Sequence, residues 1–199
     1  MPANVGDVDL EGLLTGLSDS TLLPASLQRV ELVIVDSNVA GAQELIDDLT
    51  GDSDKTILVH VLDASADGVE QISGILSLYS DLDAVHLVSH GSSTAMQIGS
   101  TLLGANNLVS YQEAIEGWAD SLNDDADLLI YGCNLADSTQ GRGLLGNLAL
   151  LTGADVAAST DLTGQASLGG DWDLEFNAGE IETAVVFSVS LQQNWESTL

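Results

Sequence analysis

The sequence predicts an α/β domain in which helices cover both faces of a mostly parallel β-sheet, a three-layer sandwich. Three observations lead to this fold class. Apolar strand-like runs alternate with amphipathic helical runs along most of the 199 residues. The early strands are continuous Val, Ile and Leu stretches, which are typical of strands buried on both faces. The helical runs between them are long enough to serve as the crossovers that parallel strands require.

Length and composition indicate a single domain and disfavour some classes of binding partner. A chain of 199 residues that is 45% hydrophobic can bury the core of one domain without disulfide bonds or a structural metal. Its 31 acidic and 3 basic residues give a formal net charge of −28. This charge repels phosphate backbones and anionic lipid, so neither nucleic acid nor a membrane surface is an expected partner. With so few cations, most carboxylates are either solvated or neutralised by counterions such as calcium.

The cellular location of the protein is inferred from its composition and from its first residues. A single cysteine excludes an internal disulfide. No apolar run approaches the ~18 residues that a membrane span needs, and the first ten residues lack the pattern of a signal peptide. Few lysines with abundant Asp, Ser, Thr and Gly are typical of large bacterial surface proteins. We therefore expect a segment of a larger secreted or cell-surface protein, without membrane insertion.

The N-terminal half is predicted as a lead-in followed by three strands and two helices. Residues 1–28 are acidic and rich in small residues, and they are interpreted as a linker or pro-segment before a domain at 29–199. Apolar runs at 30–35, 56–62 and 84–89 predict strands. Between them, apolar residues at helical spacing predict helices at 40–49 and 67–79.

The C-terminal half continues the same alternation. Two short apolar runs around Gly99, at 96–98 and 101–103, predict a small hairpin. A helix then follows at residues 107–122. A strand at 127–131, a helix at 139–152 that is closed by Gly153, and a short strand at 155–158 complete the alternating part. Residues 172–176 and 180–189 predict a C-terminal hairpin.

Polar residues follow the ends of the predicted strands. In open α/β sheets, sites lie at the carboxyl ends of the strands. Five such ends carry polar or reactive side chains, namely Asp36, Asp63, His90, Cys133, and Ser159 with Asp161. The sequence therefore predicts that the site lies at this edge.

His90 and Cys133 are the candidate reactive pair. A histidine beside a thiol can take its proton and produce a nucleophilic thiolate. Gly91 and Gly132 allow close approach of a substrate, and the N–H groups of Gly91 and Cys133 are candidates to bind an oxyanion. The alternative is structural: a lone cysteine after an apolar strand is often a small buried hydrophobe, and a histidine there is often a hydrogen-bonded structural residue.

The sequence predicts no metal site. One cysteine and three scattered histidines provide no zinc spacing, and the Asp-rich turns lack the register of a calcium loop. The other two histidines lie in the middle of strands: His86 is interpreted as a buried or paired residue, and His60 as a core residue. Calcium is retained only as a candidate counterion.

Several motifs carry a resemblance to known proteins. A strand that ends in His-Gly and a second that ends in a cysteine resemble the caspase-like cysteine peptidase clan, which includes caspases, gingipains and clostripain. The segments VHLVSHGS, LLIYGCNLA, LTGADVAASTDLTG and LGGDWDLE together resemble an uncharacterised domain of very large bacterial surface adhesins and cadherin-like repeat proteins. The resemblance covers about residues 30–182, and it implies a caspase- or gingipain-like sheet.

The resemblance assigns roles to individual residues. It implies that His90 is the catalytic base, that Cys133 is the nucleophile, and that Gly91 with the Cys133 N–H binds the oxyanion. Asp36 and Asp161 take strand-end positions comparable to the specificity pocket of clan members that cut after Arg or Lys. Their structural alternatives are a helix N-cap for Asp36 and a turn residue for Asp161.

Two functions of different classes follow. The first is a cysteine endopeptidase with a Cys133–His90 dyad that processes its own polypeptide or a neighbouring large surface protein, after a basic residue if the acidic pocket is used. It requires no cofactor, and its partner is a peptide segment. The second is a non-catalytic module for assembly, retention or partner binding in a giant adhesin, which predicts a buried, unreactive Cys133. A small-molecule-binding domain is disfavoured because no glycine-rich phosphate loop follows the first strand.

Overall fold

A computed structural model describes residues 28–49 and 55–199 of the chain. The linker or pro-segment predicted at 1–28 lies outside these residues, apart from Gln28. The same holds for Thr50–Asp54, between the first helix and the second strand.

The centre of the domain is a six-stranded sheet, and the prediction of a mostly parallel sheet is confirmed. Its strands are β1 (Arg29–Asp36), β2 (Lys55–Leu62), β3 (Leu82–Val88), β7 (Leu122–Tyr131), β8 (Asp155–Ala158) and β9 (Phe176–Ala178). They lie in the order β2-β1-β3-β7-β8-β9 across the sheet. The first five in this order are parallel, while β9 runs antiparallel to β8 at one edge.

Helices cover both faces of the sheet and complete the three layers. The helices are α1 (Ala42–Asp48), α2 (Gly68–Leu76), α3 (Gln112–Glu116), α4 (Thr139–Thr152) and α5 (Val189–Asn194). Buried residues of α2, α3 and α4 belong to one core, and those of α1 and α5 belong to the other. The two cores lie on opposite faces because successive side chains of a strand alternate. In β1, for example, Leu32 packs in the first core and Val33 in the second.

A small second sheet extends from the end of β3. It consists of β4 (His90–Ser92), β5 (Ala95–Ile98) and β6 (Thr101–Gly104), all antiparallel. The hairpin predicted around Gly99 is therefore confirmed, with Ile98 opposite Thr101. Since β4 starts one residue after Ser89, the hairpin continues directly from the polar end of β3.

The prediction of one continuous helix at 107–122 is wrong. Only α3 is α-helical, and 3₁₀ turns at Leu108–Tyr111 and Gly117–Ser121 flank it. Two tertiary hydrogen bonds account for the change after Gly117. The Trp118 indole N–H donates to Ser73 Oγ at 2.8 Å, and the Ser121 hydroxyl donates to the Leu76 carbonyl at 2.8 Å. Both bonds hold this segment to α2.

The predicted C-terminal hairpin is also wrong. Only Phe176–Ala178 forms a strand, and it pairs with β8. Within the described segment from residue 180 to 188 no strand forms, because carboxylates and a phenol take its backbone N–H groups. The acceptors are Asp155 for Glu180, Asp127 for Glu182 and Thr183, the Tyr131 hydroxyl for Val186, and Asp48 for Ser188.

Most remaining element boundaries agree with the sequence. The helix predicted at 139–152 and the strand predicted at 155–158 coincide with α4 and β8. Strand β7 begins five residues earlier than predicted, because Leu122 pairs with Leu82 beyond a register shift. In the described part of the chain, no helix has the length and apolar character needed to cross a membrane.

Candidate active site

The ends of β3 and β7 bring the two predicted reactive residues onto adjacent strands. Val88 pairs with Tyr131, and the Ser89 N–H donates to the Tyr131 carbonyl at 3.0 Å. His90 and Cys133 each follow this pair by two residues, so they lie beyond neighbouring strand ends. A Cβ atom added to Gly91 would fall 2.7 Å from the Cys133 carbonyl oxygen. Only glycine allows this approach, so Gly91 lies directly against the backbone of Cys133.

Cys133 is covered in this structure. Its side chain is 4% exposed, and its Sγ contacts the carbonyl oxygen of Leu199 and lies 3.9 Å from that of Thr163. Burial raises the pKa of the Cys133 thiol. A protonated thiol that faces two carbonyl oxygens is the expected result, because S–H can donate to them whereas a thiolate would be repelled.

His90 is oriented by a backbone carbonyl. Its Nε2 atom lies 3.3 Å from the carbonyl oxygen of Asn38. A carbonyl oxygen only accepts, so Nε2 carries the proton and Nδ1 is the basic nitrogen of the neutral ring. In the described part of the chain, the hydrogen-bond partners of the Cys133 thiol are carbonyl oxygens and do not include this imidazole. Among residues 28–49 and 55–199, the structure thus shows His90 at the neighbouring strand end with Nε2 engaged and without a direct bond to the thiol.

Asp36 supports the loop that orients His90. Its carboxylate is buried, and it accepts the Asn38 N–H at 2.8 Å and the Gly99 N–H at 2.5 Å. It does not cap α1, whose N-cap is Gly41, so the alternative interpretation of Asp36 as a helix cap is wrong. With both oxygens bound to backbone N–H groups, Asp36 links the end of β1 to the small hairpin rather than lining an open cleft.

Asp161 lies on the other side of the site, near Cys133. Its negative charge contributes to the raised pKa of the Cys133 thiol. Desolvation, then the charges of Asp171 and Glu175, raise the pKa of Asp161 itself. One carboxylate oxygen of each of these three exposed residues lies within 4.8 Å of the other two. Of the two predicted pocket acids, Asp161 is therefore close to the thiol. Asp36 instead bonds to Asn38, in the loop that orients His90.

A tight turn follows the cysteine. Asn134 has a φ of 59°, in the left-handed region that asparagine tolerates better than other residues with a Cβ. Its N–H donates to the Asp161 carbonyl at 2.5 Å, and the Ala136 N–H donates to the Ser159 carbonyl at 2.9 Å. These bonds join the loop after β7 to the end of β8. Within the described residues no carbonyl accepts the Cys133 N–H, and this donor lies beside the thiol of its own residue.

The sequence did not predict the segment that covers the thiol. Residues 197–199 run antiparallel to residues 163–165: the Gln165 N–H donates to the Ser197 carbonyl at 2.9 Å, and the Leu199 N–H donates to the Thr163 carbonyl at 3.0 Å. Leu199 is 5% exposed and packs in the same core as Cys133. A short polar tail has no strand periodicity, so the pattern of the sequence carried no signal for this pairing.

Two features of the neighbouring structure hold the segment in place. Gly164 has a φ of 131°, and a Cβ atom there would fall 2.5 Å from the Ser197 carbonyl oxygen. Only glycine allows the two chains to approach this closely. Before the segment, the indole of Trp195 is 1% exposed and packs on Trp172 with ring centroids 5.4 Å apart. The lone tryptophan in the tail is the one sequence signal that could have indicated an anchored C-terminal segment.

The two other histidines belong to structural networks: His86 is buried and paired, as predicted, whereas His60 is half-buried and not, as predicted, in the core. The Nε2 atom of His86 lies 3.1 Å from Glu31, and its Nδ1 atom lies 3.1 Å from the Tyr131 hydroxyl. His86 is fully buried, and desolvation lowers its pKa despite the opposing effect of Glu31. His60, which is half-buried, pairs with Tyr79 at 2.7 Å.

Comparisons with known proteins identify a family and distant structural neighbours. A family described as "Domain of unknown function (DUF4347)" matches residues 32–199. No protein with a curated function matches the chain. A solved structure titled "Crystal structure of a small-chain dehydrogenase" aligns with a TM-score of 0.37 and 12% identity, over 64% of this chain and 78% of that chain.

Proposed function

The chain belongs to the DUF4347 family, and we propose that this domain is a cysteine endopeptidase in which Cys133 attacks a peptide carbonyl and His90 transfers the proton. The family description names no activity, so the proposal rests on the site. The observation that carries it is the extended segment 197–199, whose backbone pairs with residues 163–165 across Cys133. The groove beside the thiol is therefore one that already holds a peptide backbone.

The chemistry follows from the atoms at the strand ends. Nδ1 of His90 takes the proton of the Cys133 thiol, and Sγ forms a bond to the substrate carbonyl carbon while the electron pair moves to its oxygen. The N–H groups of Cys133 and Gly91 are the proposed donors to that oxyanion. The amine then leaves with the proton from His90. Water, deprotonated by the same imidazole, hydrolyses the thioester and restores the thiol.

The groove supports recognition of the substrate backbone as an added strand. Alternating hydrogen bonds with residues 163–165 would bind an extended peptide whatever its sequence, and one side-chain pocket would select it. Leu199 occupies the position next to the thiol and is buried among apolar side chains. This favours a leucine-sized apolar residue before the scissile bond over the basic residue that Asp161 suggested. The acidic group around Asp161 is exposed and lies beside this pocket.

The setting of this activity is part of the proposal. The resemblance of the His-Gly and Cys-containing strand ends to caspase-like peptidases supports the chemistry. The resemblance of the longer motifs to domains of bacterial adhesins supports a substrate segment in the same polypeptide or in a neighbouring surface protein, outside the cell. The proposed reaction requires neither a metal nor an organic cofactor, because nucleophile, base and oxyanion donors all come from the chain.

A reactive peptide probe tests the proposal. Acyloxymethyl ketones that end in leucine or in arginine would be incubated with the wild-type chain and with Leu199→Glu, in which a buried charge expels the covering segment. Intact mass would report the adduct. We expect labelling at Cys133, faster for the leucine probe, none in Cys133→Ala, and a decrease of about 100-fold or more in His90→Gln. His60→Gln, at a histidine paired with Tyr79, is the matched control and should label normally.

The second candidate function has its own supporting observation. Cys133 is 4% exposed and bonded to carbonyl oxygens, as expected for a non-catalytic module that assembles or retains a larger surface protein. Iodoacetamide at pH 7 separates the two candidates. If Cys133 of Leu199→Glu reacts no faster than that of the wild type, and neither peptide probe labels either protein, the endopeptidase proposal fails and the module is favoured.

A further inference from the structure

Three carboxylates converge at the edge of the sheet opposite the candidate active site. Asp127 in β7 pairs with Asp155 in β8, and Glu182 follows β9. One carboxylate oxygen of each residue lies within 4.8 Å of the other two. Asp127 precedes Cys133 by six residues, which is about 20 Å along an extended chain. This group is therefore separate from the catalytic edge.

Asp127 has an unsatisfied oxygen. Its side chain is 0% exposed, and its Oδ2 atom accepts the N–H groups of Glu182 at 3.2 Å and Thr183 at 2.8 Å. Its Oδ1 atom is buried and, in the part of the chain that the structure describes, has no hydrogen-bond partner. A buried carboxylate oxygen without a partner is strongly destabilising, so this atom calls for a further hydrogen-bond donor or a cation.

The residues around the three carboxylates make the electrostatic potential at this site more negative. Asp155 Oδ2 accepts the Glu180 N–H at 3.0 Å, which brings residues 179–183 over the carboxylates. Desolvation, then the charges of Asp127 and Glu180, raise the pKa of Glu182. The positive charge that this group needs must come from outside the chain if its basic residues are engaged elsewhere.

The three basic side chains of the chain do bond to other groups. Arg29 donates to the Thr183 hydroxyl and faces Glu31, Lys55 pairs with Glu31, and Arg142 donates to the Ala136 carbonyl. Among the described residues, none of them forms an ion pair with the three carboxylates.

We propose that Asp127, Asp155 and Glu182 bind a hard divalent cation, with calcium preferred. The donors are all oxygens, and they lie within 4.8 Å of one another, so one ion can contact all three at a Ca–O distance of about 2.4 Å. A bound cation would provide the missing partner of Asp127 Oδ1. Calcium accepts irregular carboxylate geometry and completes its shell with water, whereas magnesium demands a near-octahedral arrangement.

A cleft borders the exposed member of the group, Glu182. It has a volume of about 470 Å³, and Glu182 lies in its wall together with Arg29, Asp83, Asn123, Asp124 and Asp125. The cleft is mainly acidic, so it attracts a hydrated cation to the exposed side of Glu182. The bound ion would join β7, β8 and the segment around Glu182, which makes it a structural site independent of the proposed peptidase activity.

Calorimetric titration with CaCl₂ of the metal-free chain, with MgCl₂ in parallel, tests the proposal. We expect one saturable calcium site, weaker magnesium binding, and a rise in Tm with calcium. Glu182→Gln and Asp155→Asn should each weaken calcium binding by about tenfold or more and remove most of the rise in Tm. Glu182 is exposed, so its variant should fold, and circular dichroism without calcium verifies this.

The second acidic group provides the matched control. Asp161, Asp171 and Glu175 are equally close together, but all three are exposed and, among the described residues, their carboxylate oxygens include no buried atom without a partner. Glu175→Gln should bind calcium as the wild type does. The proposal is overturned if the wild type shows no saturable calcium binding, if Glu182→Gln and Asp155→Asn both bind with wild-type affinity, or if Glu175→Gln alone abolishes binding.

Discussion

The backbone N–H of Leu199 donates to the carbonyl oxygen of Thr163 at 3.0 Å, and this bond holds Leu199 over the thiol of Cys133. The two carbonyl oxygens that face the thiol belong to these same two residues. The pairing that occupies the groove therefore also keeps the thiol buried and protonated. Reaction at Cys133 requires that residues 197–199 leave the groove or that their own backbone is the substrate.

Replacing Leu199 by glutamate should expose the thiol. A buried carboxylate among the apolar neighbours of Leu199 has no partner, so the segment should leave the pocket. The rate of iodoacetamide alkylation at pH 7 should rise by about tenfold or more, because the thiol gains access to solvent and its raised pKa falls. Leu168→Glu, at a leucine that is 53% exposed, should leave the rate unchanged. Equal rates in all three proteins would contradict the covering role of Leu199.

Replacing Gly164 by alanine should separate exposure of the thiol from peptide binding. The new Cβ atom would lie 2.5 Å from the Ser197 carbonyl oxygen, at a φ of 131° that alanine rarely adopts. The chain's own segment should detach, so alkylation by iodoacetamide should become faster. Labelling by the leucine peptide probe should not increase in parallel, since a peptide in the groove meets the same methyl group.

Gly143→Ala is the control for this substitution. A Cβ atom at Gly143 would meet no heavy atom within 4 Å beyond the local backbone of its own helix, and alanine favours a helix there by about 0.5–1 kcal/mol. Both reagents should react with this variant as they do with the wild type. If peptide labelling of Gly164→Ala rises together with alkylation, residues 163–165 are not the binding edge.

Replacing Asp36 by asparagine should weaken both stability and labelling. Two backbone N–H groups donate to the Asp36 carboxylate, and in the variant one of them would face the N–H₂ group of the asparagine and lose its acceptor. This should lower the free energy of unfolding by about 1–3 kcal/mol. The shift of Asn38 should also release His90 Nε2, so the rate of peptide labelling should fall. Urea unfolding and probe labelling would be measured beside Asp63→Asn, an exposed strand-end residue whose variant should stay within about 0.5 kcal/mol. If the peptide probe labels Asp36→Asn as fast as it labels the wild type, Asp36 does not position His90.

Glu31 should contribute to the free energy of unfolding in a way that depends on pH. Burial alone would raise its pKa, but hydrogen bonds from His86 and Lys55 outweigh this and lower the pKa from 4.5 to about 2. Because the folded-state pKa lies below that of the unfolded chain, the contribution is complete above pH 4.5 and is lost as the pH falls towards 2. The shift corresponds to about 3 kcal/mol at pH 7.

Urea unfolding of Glu31→Gln would measure this contribution. The variant should be less stable than the wild type by about 3 kcal/mol at pH 7, and the difference should shrink between pH 4.5 and 2.5 as the wild type loses its charged carboxylate. Glu113→Gln, at an exposed residue of α3, is the control and should show no such trend. A difference that stays constant across this range would contradict the assignment to Glu31.

Local patterns account for the parts that the sequence predicted well. Helix α4 was predicted at its full length because Ser138 caps its first turn and Gly153, with a φ of 73°, closes its end. Both signals depend on residues within one turn of the helix. The continuous apolar runs of β1 and β3 likewise indicated strands buried on both faces. Strands β3 and β7, which pair with each other, place His90 and Cys133 at one edge, as the general rule for parallel sheets predicts.

Long-range acceptors account for the errors. The segment from residue 180 to 188 has the apolar pattern of a strand, yet Asp127, Asp155 and Tyr131 take its N–H groups, and no local pattern reveals partners that are 25 to 56 residues away. Asp36 looked like a helix cap or a pocket residue for the same reason. Of its two partners, Asn38 is local, but Gly99 is 63 residues distant in the chain.

The sequence by itself determined the fold class, the order of the elements and the strand ends at which chemistry is possible, because periodicity and capping act within a few residues. Only the tertiary structure decided that Leu199 lies over Cys133, that Asn38 orients His90 and that three carboxylates meet around Asp127. Each of these depends on backbone and side-chain groups that become neighbours only when the sheet forms, and their hydrogen bonds must be satisfied together in the folded chain.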